Sequence, residues 1–164
     1  MRTFLLLLLS TVLASAQQTP SEFMTTWVDA YNKNDAKKIV SYYDQSEDTD
    51  CLISAGLWRR GYKQIKDMYY QDMRDVRFYD SQAEGMKHRT LDNTAVVSFV
   101  HKFKYAVREA GVHYRIHIRT TATLRKDKEG WKIVSEHSSA IDGIERAQII
   151  KREQGGAPNP LHAE

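Results

Sequence analysis

Arg119 and Glu136 offer the sharpest chemistry among the charged side chains of this sequence. They lie in VHYRIHIRTTATLRKDKEGWKIVSEHSS, residues 112–139, two strand-like runs around a charged, Gly-ended turn. On adjacent strands a guanidinium and a carboxylate grip a polar or anionic ligand, or simply grip each other as a cross-strand ion pair. An arginine neighbour favours the charged carboxylate, which suits binding better than acid catalysis. Lys102, Thr121 and Ser138 share a polar face with this pair. Tyr31, Trp58 and Tyr69 are aromatic residues suited to a pocket mouth, although stripes at helical spacing also build cores. The ligand-binding set is thus Tyr31, Trp58, Lys102, Arg119, Thr121, Glu136 and Ser138. If the chain is catalytic, Glu136 and His137 are its acid–base candidates.

Other chemistries fit less well. His113 and His117 share a strand face but stand four residues apart, roughly 13 Å. His101 and His137 flank Thr120 at roughly 9–10 Å, so neither pair closes on one zinc with bonds of about 2 Å. No metal is expected. His101 and His137 are expected instead as buried hydrogen-bonding groups or dimer contacts. His137 and Ser138 are neighbours on a strand and point to opposite faces, and no nucleophile-elbow motif is present. Gly56, Gly61 and Gly111 are isolated and form no phosphate-cradling string, so no cofactor is expected.

The residues that must be positioned sit in three runs of period two, Thr94–Arg108 and the two arms of residues 112–139. Closing the first turn on Ala110-Gly111 sets Phe103 opposite Ile118 and His101 opposite Thr120. Closing the second over Asp127–Gly130 sets Leu124 opposite Ile133 and Thr120 opposite His137. One face then collects Phe99, His101, Phe103, Tyr114, Trp131 and His137. The other collects Ser98, Lys102, Arg119, Thr121, Glu136 and Ser138. A slip of one residue in either turn exchanges the faces.

Residues 1–16 read as a secretory signal peptide: Arg2, an apolar stretch too short to span a bilayer, and the small residues Ala14-Ser15-Ala16. Gln17 is the expected mature start, in a secreted or periplasmic setting, with no stable membrane span once the leader is gone. The formal charge is +3 with Arg2 and +2 without it, too small to argue for nucleic acid. Cys51 is the only cysteine, which excludes an internal disulfide and suits a small buried residue in a strand.

The rest of the chain reads in order. Thr19-Pro20-Ser21-Glu22 is a helix start with a capping box, and Phe23, Trp27, Ala30 and Tyr31 follow at helical spacing. Asp35 caps a second, short helix. Asp44–Asp50 is an acidic, solvated loop lacking the rhythm and central glycine of a calcium site. Cys51–Ala55 reads as a strand, Gly61–Met73 as a third helix, and Val76–Thr90 as a strand with a bulge near Gly85. Ile141–Glu153 is expected as a terminal helix, and Gly155–Glu164 as a disordered tail. Helices followed by a long meander give an α+β plan.

Three strings, WVDAYNKNDAKKIVSYY, GLWRRGYKQI and TATLRKDKEGWKIVSEHSS, resemble the SnoaL-like branch of the nuclear transport factor 2-like superfamily. The last is also similar to the final hairpin of the calcium/calmodulin-dependent kinase association domain. The resemblance covers about Ser21–Ala140. It implies a cone-shaped (cystatin-like) fold, a curved antiparallel sheet wrapped around three N-terminal helices, with a deep pocket and usually a homodimer. The domain would span residues 17–140, and 141–164 would hold the terminal helix and tail. The pocket arginines of the kinase domain correspond to about Ser98, Thr121 and Ser138, which supports the polar face as the pocket wall. All three are small here, with Lys102 and Arg119 as nearby substitutes. The fold hosts many functions, so activity must be argued from the site. The expected function is an exported domain binding a small, partly apolar molecule, without established catalysis. An isomerase, dehydratase or hydrolase-type enzyme, and an oligomerisation or interaction module, are the alternatives.

Overall fold

The computed structural model describes residues 18–53, 57–141 and 148–152. The expected signal peptide, Gly56 and the tail from Gly155 lie outside the described residues.

Three helices come early: α1 (Pro20–Asn32), α2 (Ala36–Val40) and α3 (Tyr62–Asp75). The capping box forms as read. Glu22 N donates to Thr19 Oγ1 at 3.3 Å, and Thr19 N donates back to the Glu22 carboxylate at 2.7 Å. Asp35 accepts from Lys38 N at 2.8 Å and starts α2. One stripe of α1 is buried through Phe23, Met24, Trp27 and Tyr31, and one stripe of α3 through Ile65, Met68, Tyr69 and Met73. Among the described residues no helix is long and apolar enough to cross a membrane.

The strands are β1 (Asp50–Ile53), β2 (Leu57–Arg60), β3 (Val76–Leu91), β4 (Thr94–Val107), β5 (Val112–Asp127), β6 (Gly130–Ala140) and β7 (Gln148–Arg152). They form one curved, unclosed sheet in the order β2-β1-β6-β5-β4-β3, with β7 beside β5. All pairings are antiparallel except β1 with β6, which is parallel. The expected terminal helix is corrected over residues 148–152. This β-branched-rich QIIKR segment finds an open strand partner at Val112–Arg115, and pairing outweighs the helical spacing of its isoleucines.

Register decides which side chains face the helices. The β4–β5 turn closes with Val107 opposite Val112, two residues from the expected register, so His101 faces Ile118 and Phe103 faces Ile116. A shift of two preserves parity, and the two faces survive it. On β5–β6 the expected Leu124–Ile133 pair forms. A bulge then follows: Thr123 opposes Ser135, Val134 is the extra residue, and Thr120 opposes Ser138 rather than His137. Beyond the bulge every β6 side chain changes face. Glu136 and Ser138 turn inward and are buried, while His137 turns outward and is exposed.

The helices pack on the apolar face of the sheet, because that is the face that must leave water. The core joins Trp27, Met24 and Ile65 to Val97, Phe99, Leu124 and Ile133. Two asparagines stitch the end of α1 to the irregular part of β3. Asn32 exchanges hydrogen bonds with the Ser81 backbone at 2.7 and 3.0 Å, and Asn34 with the Phe78 backbone at 2.7 Å each way. Both stand in for a missing strand neighbour. Asn32→Ala strands both Ser81 backbone groups and is expected to cost about 1–3 kcal/mol, read from the urea midpoint at unchanged slope. An unchanged midpoint would show that water replaces the amide.

Candidate functional site

A cavity of about 280 Å³ opens between α1, α3 and the inner face of the sheet. Its walls are largely apolar: Met68 and Val76 from α3 and its end, Phe78 from β3, Phe103 from β4, Ile116 and Ile118 from β5. Into them project Tyr31, Tyr69, Asp72, His101, Glu136 and Ser138. The size sits at the lower end of ligand pockets, and the mixture of apolar wall and few polar groups is typical of them.

Glu136 anchors the polar end. It is 2% exposed, and among the described residues no lysine or arginine lines the cavity with it. Its carboxylate is served by hydroxyls instead. Tyr43 donates a short hydrogen bond to Oε2, and the Cys51 thiol lies 3.7 Å from the same oxygen. Ser138 donates to Oε1 at 3.1 Å, and Thr120 Oγ1 lies 3.2 Å from Ser138 Oγ. Tyr31 donates to Tyr69 at 3.0 Å, and Tyr69 is 2.8 Å from Tyr43. Tyr43 spends its only proton on Glu136, so the Tyr69 proton runs toward Tyr43 or the carboxylate. The chain from Tyr31 therefore points every hydroxyl proton toward Glu136 and leaves the Tyr31 oxygen as its open acceptor.

Local structure explains this cluster. The parallel β1–β6 pairing sets Cys51 opposite Glu136, and the Tyr43–Ile133 bridge sets Tyr43 beside them. Burial pushes the Glu136 carboxyl above the usual carboxylate range, while the hydrogen bonds from Tyr43, Ser138, Cys51 and Tyr69 pull it back. Burial and the nearby Glu136 charge push the Tyr31, Tyr43 and Tyr69 phenols up, so they remain protonated donors. Burial also raises Cys51, next to the same carboxylate. A thiol so disfavoured as thiolate is no nucleophile.

Two further titratable groups reach the cavity. Asp72 is pushed up to about 6, mainly by burial, with Arg59 opposing and Asp75 assisting. His101 is buried and pushed down to about 3 by loss of solvation. Its Nε2 lies 2.7 Å from Ser81 Oγ, and its ring packs on Phe103 and Tyr31 at centroid distances of 4.7 and 5.1 Å. It is a neutral imidazole at pH 7. Unfolding restores an ordinary imidazole, so between pH 6.5 and 3 the unfolded chain binds more protons than the native one. His101 stability is therefore whole above pH 6.5 and lost as pH falls toward 3. His101→Gln is expected to flatten the loss of melting temperature between pH 6.5 and 4 relative to wild type. Parallel curves for the two proteins would contradict this placement.

The expected ligand set divides. Tyr31, Glu136 and Ser138 line the cavity together. Lys102, Arg119 and Thr121 stand on the outer face and are corrected as pocket residues. Lys102 pairs with Glu84 at 2.5 Å, Arg119 donates to Ala140 O at 3.2 Å, and Thr121 is exposed. Arg119 opposes Ser139, and Glu136 opposes Ala122 with its side chain on the other face, so the cross-strand ion pair does not form. The physical reason is the Val134 bulge for Glu136 and Ser138, and the packing of helices on the apolar face for the rest. Of the three positions aligned with the kinase-domain arginines, Ser98 and Thr121 face out and Ser138 faces in. Trp58 is 49% exposed on the edge strand β2 with the Arg60 guanidinium 3.6 Å over its ring. It shares a shallow groove with His137 outside the cavity. His137 thus has no place in the site. His101 is buried and hydrogen-bonded, and is no outer contact. Tyr43, Cys51, Asp72 and Ser81 went unseen as site residues. Only Asp72 carried a hint, a carboxylate three residues after Tyr69 and thus near its helical face. Among the described residues no cluster of three or more metal-ligating side chains occurs.

A curved α+β sheet closing a small apolar cavity over three helices, with a carboxyl at its inner end, defines a class of pocket proteins. The SnoaL-like domain model matches residues 21–143, and the chain belongs to that family. Solved structures agree in fold. A nuclear transport factor 2-like superfamily protein from Salmonella enterica is 21% identical, with 75% of this chain and 90% of that one covered at a TM-score of 0.66. A Xanthomonas campestris structure named for a calcium/calmodulin dependent protein kinase II association domain is 20% identical, covering 79% and 95%, with a TM-score of 0.63. A ketosteroid isomerase-like protein from Erwinia carotovora is 16% identical, covering 74% and 93%, also at 0.63. Other neighbours are described as cystatin-like folds. Among curated proteins none matches.

Proposed function

We propose that this chain binds a small, mostly apolar molecule in the cavity above Glu136. One observation carries the proposal: an apolar cavity of ligand size ends in a buried carboxyl that has hydroxyl partners and, among the described residues, no cation in the wall. A carboxyl kept there is costly, and a ligand that meets it is what the expense supports. Export behind the leader at residues 1–16 and self-association into a homodimer belong to the same proposal. Native mass spectrometry of the mature protein tests it. The expected result is a dimer starting at Gln17 that carries a small-molecule adduct released by denaturation. A protein that stays empty after exposure to extract would sink the binding proposal.

A proton-transfer enzyme is the second reading, favoured by the aligned hydroxyl chain. A ligand O–H that donates to the Tyr31 oxygen is linked through Tyr69 and Tyr43 to Glu136, the only carboxylate on that chain. The Erwinia neighbour's isomerase-like name fits such chemistry, although fold likeness alone carries no activity. With the compound found by mass spectrometry as substrate, Tyr31→Phe is expected to lower turnover by about 10²-fold or more if the chain carries protons. Unchanged turnover would remove the relay from the reaction.

A further inference from the structure

The charge of the cavity wall is one-sided. Among the described residues its ionisable groups are the carboxyls of Asp72 and Glu136, together with phenols and one imidazole. Among the described residues no lysine or arginine lines it, and His101 is spoken for at Nε2 by Ser81. The cation that Asp72 feels is Arg59, on β2 and not among the residues of the wall. Aromatic rings line the same cavity, Tyr31 and Tyr69 from the helices and Phe78 and Phe103 from the sheet. Ring faces are negative by their quadrupole and attract organic cations in a desolvated site. The hydroxyl chain ends on an open acceptor at Tyr31, which asks the ligand for an N–H or O–H donor. A carboxylate ligand would meet two further carboxyls and, among the described residues, no compensating cation.

From this we infer that the occupant of the cavity is a protonated amine on a small apolar or aromatic body, its ammonium directed at the acidic, phenol-lined end. The inference rests on the cavity-binding proposal and specifies its ligand class. It also assigns Asp72, carried by α3, as a second contact for the ammonium beside the sheet-borne Glu136.

Calorimetric titration with three probes of equal size tests it: 2-phenylethylamine, 2-phenylethanol and phenylacetate, each against the mature protein at pH 7. The amine is expected to bind about tenfold or more tighter than the alcohol, and phenylacetate not at all. The double variant Asp72→Asn, Glu136→Gln is expected to bind amine and alcohol alike, with its fold checked by circular dichroism. Wild-type protein that takes the alcohol as well as the amine, or takes phenylacetate better, overturns the amine assignment and leaves the cavity proposal standing. Folded protein that takes none of the three overturns both. The wild-type comparison decides the matter even if the double variant does not fold.

Discussion

Trp27→Ala is expected to remove about 3–5 kcal/mol of stability, the full cost of emptying an aromatic site in a close-packed core. Trp27 is fully buried on α1, where its ring meets Tyr31 at 4.9 Å, His101 at 5.5 Å and Phe99 at 6.4 Å between centroids. Those contacts join the helix to β4 at the back of the ligand cavity. A loss of that size consumes much of the 5–15 kcal/mol by which a domain is usually stable. Trp27→Phe is expected to cost less than the volume change alone suggests. Among the described residues the indole N–H has no partner, so the smaller ring also removes an unsatisfied donor. Chemical denaturation of the three proteins measures both effects. A Trp27→Ala loss below 1 kcal/mol would mean that α1 does not pack on the sheet as described.

Glu136 carries the other large effect, and its sign depends on the substitute. Glu136→Ala leaves Tyr43, Ser138 and Cys51 without their acceptor in a buried site, and about 2–4 kcal/mol of stability should go with it. Glu136→Gln keeps an acceptor oxygen and the volume, and removes the charge whose burial is unfavourable. It is expected to stay within about 1 kcal/mol of wild type at pH 7 and to gain relative to it as pH rises. The sign follows from the upward shift. Between the ordinary carboxylate range and the raised native value, the native protein binds more protons than the unfolded chain. Wild-type stability therefore falls as pH rises through that window, and the Gln variant escapes the fall. Urea midpoints from pH 4 to 8 show this. A Gln variant that loses as much as the Ala variant at every pH would mean that ionised Glu136 is a net stabilising group.

The two faces of β4 and β5 were legible because period two is robust to even shifts. The turn took in Arg108–Gly111 rather than Ala110-Gly111 alone, a register shift of two, and His101 and Tyr114 still shared a face. The parity of β6 was not legible. Past Ile133 the sequence runs Val-Ser-Glu-His-Ser-Ser, polar on both alternations, so no apolar pattern marks the extra residue at Val134. One bulge therefore separated Glu136 from Arg119 and brought it to Tyr43 and Cys51 instead. The choice of inner face was readable in principle. Helices with stripes such as Phe23, Trp27 and Tyr31 must bury them on the apolar side of a sheet, which leaves Lys102 and Arg119 outside. The helix starts were read correctly because Thr19, Glu22 and Asp35 act within one turn. Residues 148–152 became a strand through a partner more than thirty positions upstream, which local spacing does not report.

Methyl-resolved NMR titration of the mature protein with 2-phenylethanol tests most directly where a ligand sits. Shifts are expected at Met68, Ile116 and Ile118 on the cavity wall, and none at Val96, Val100 or Thr121 on the outer face. Shifts confined to that outer face would contradict it.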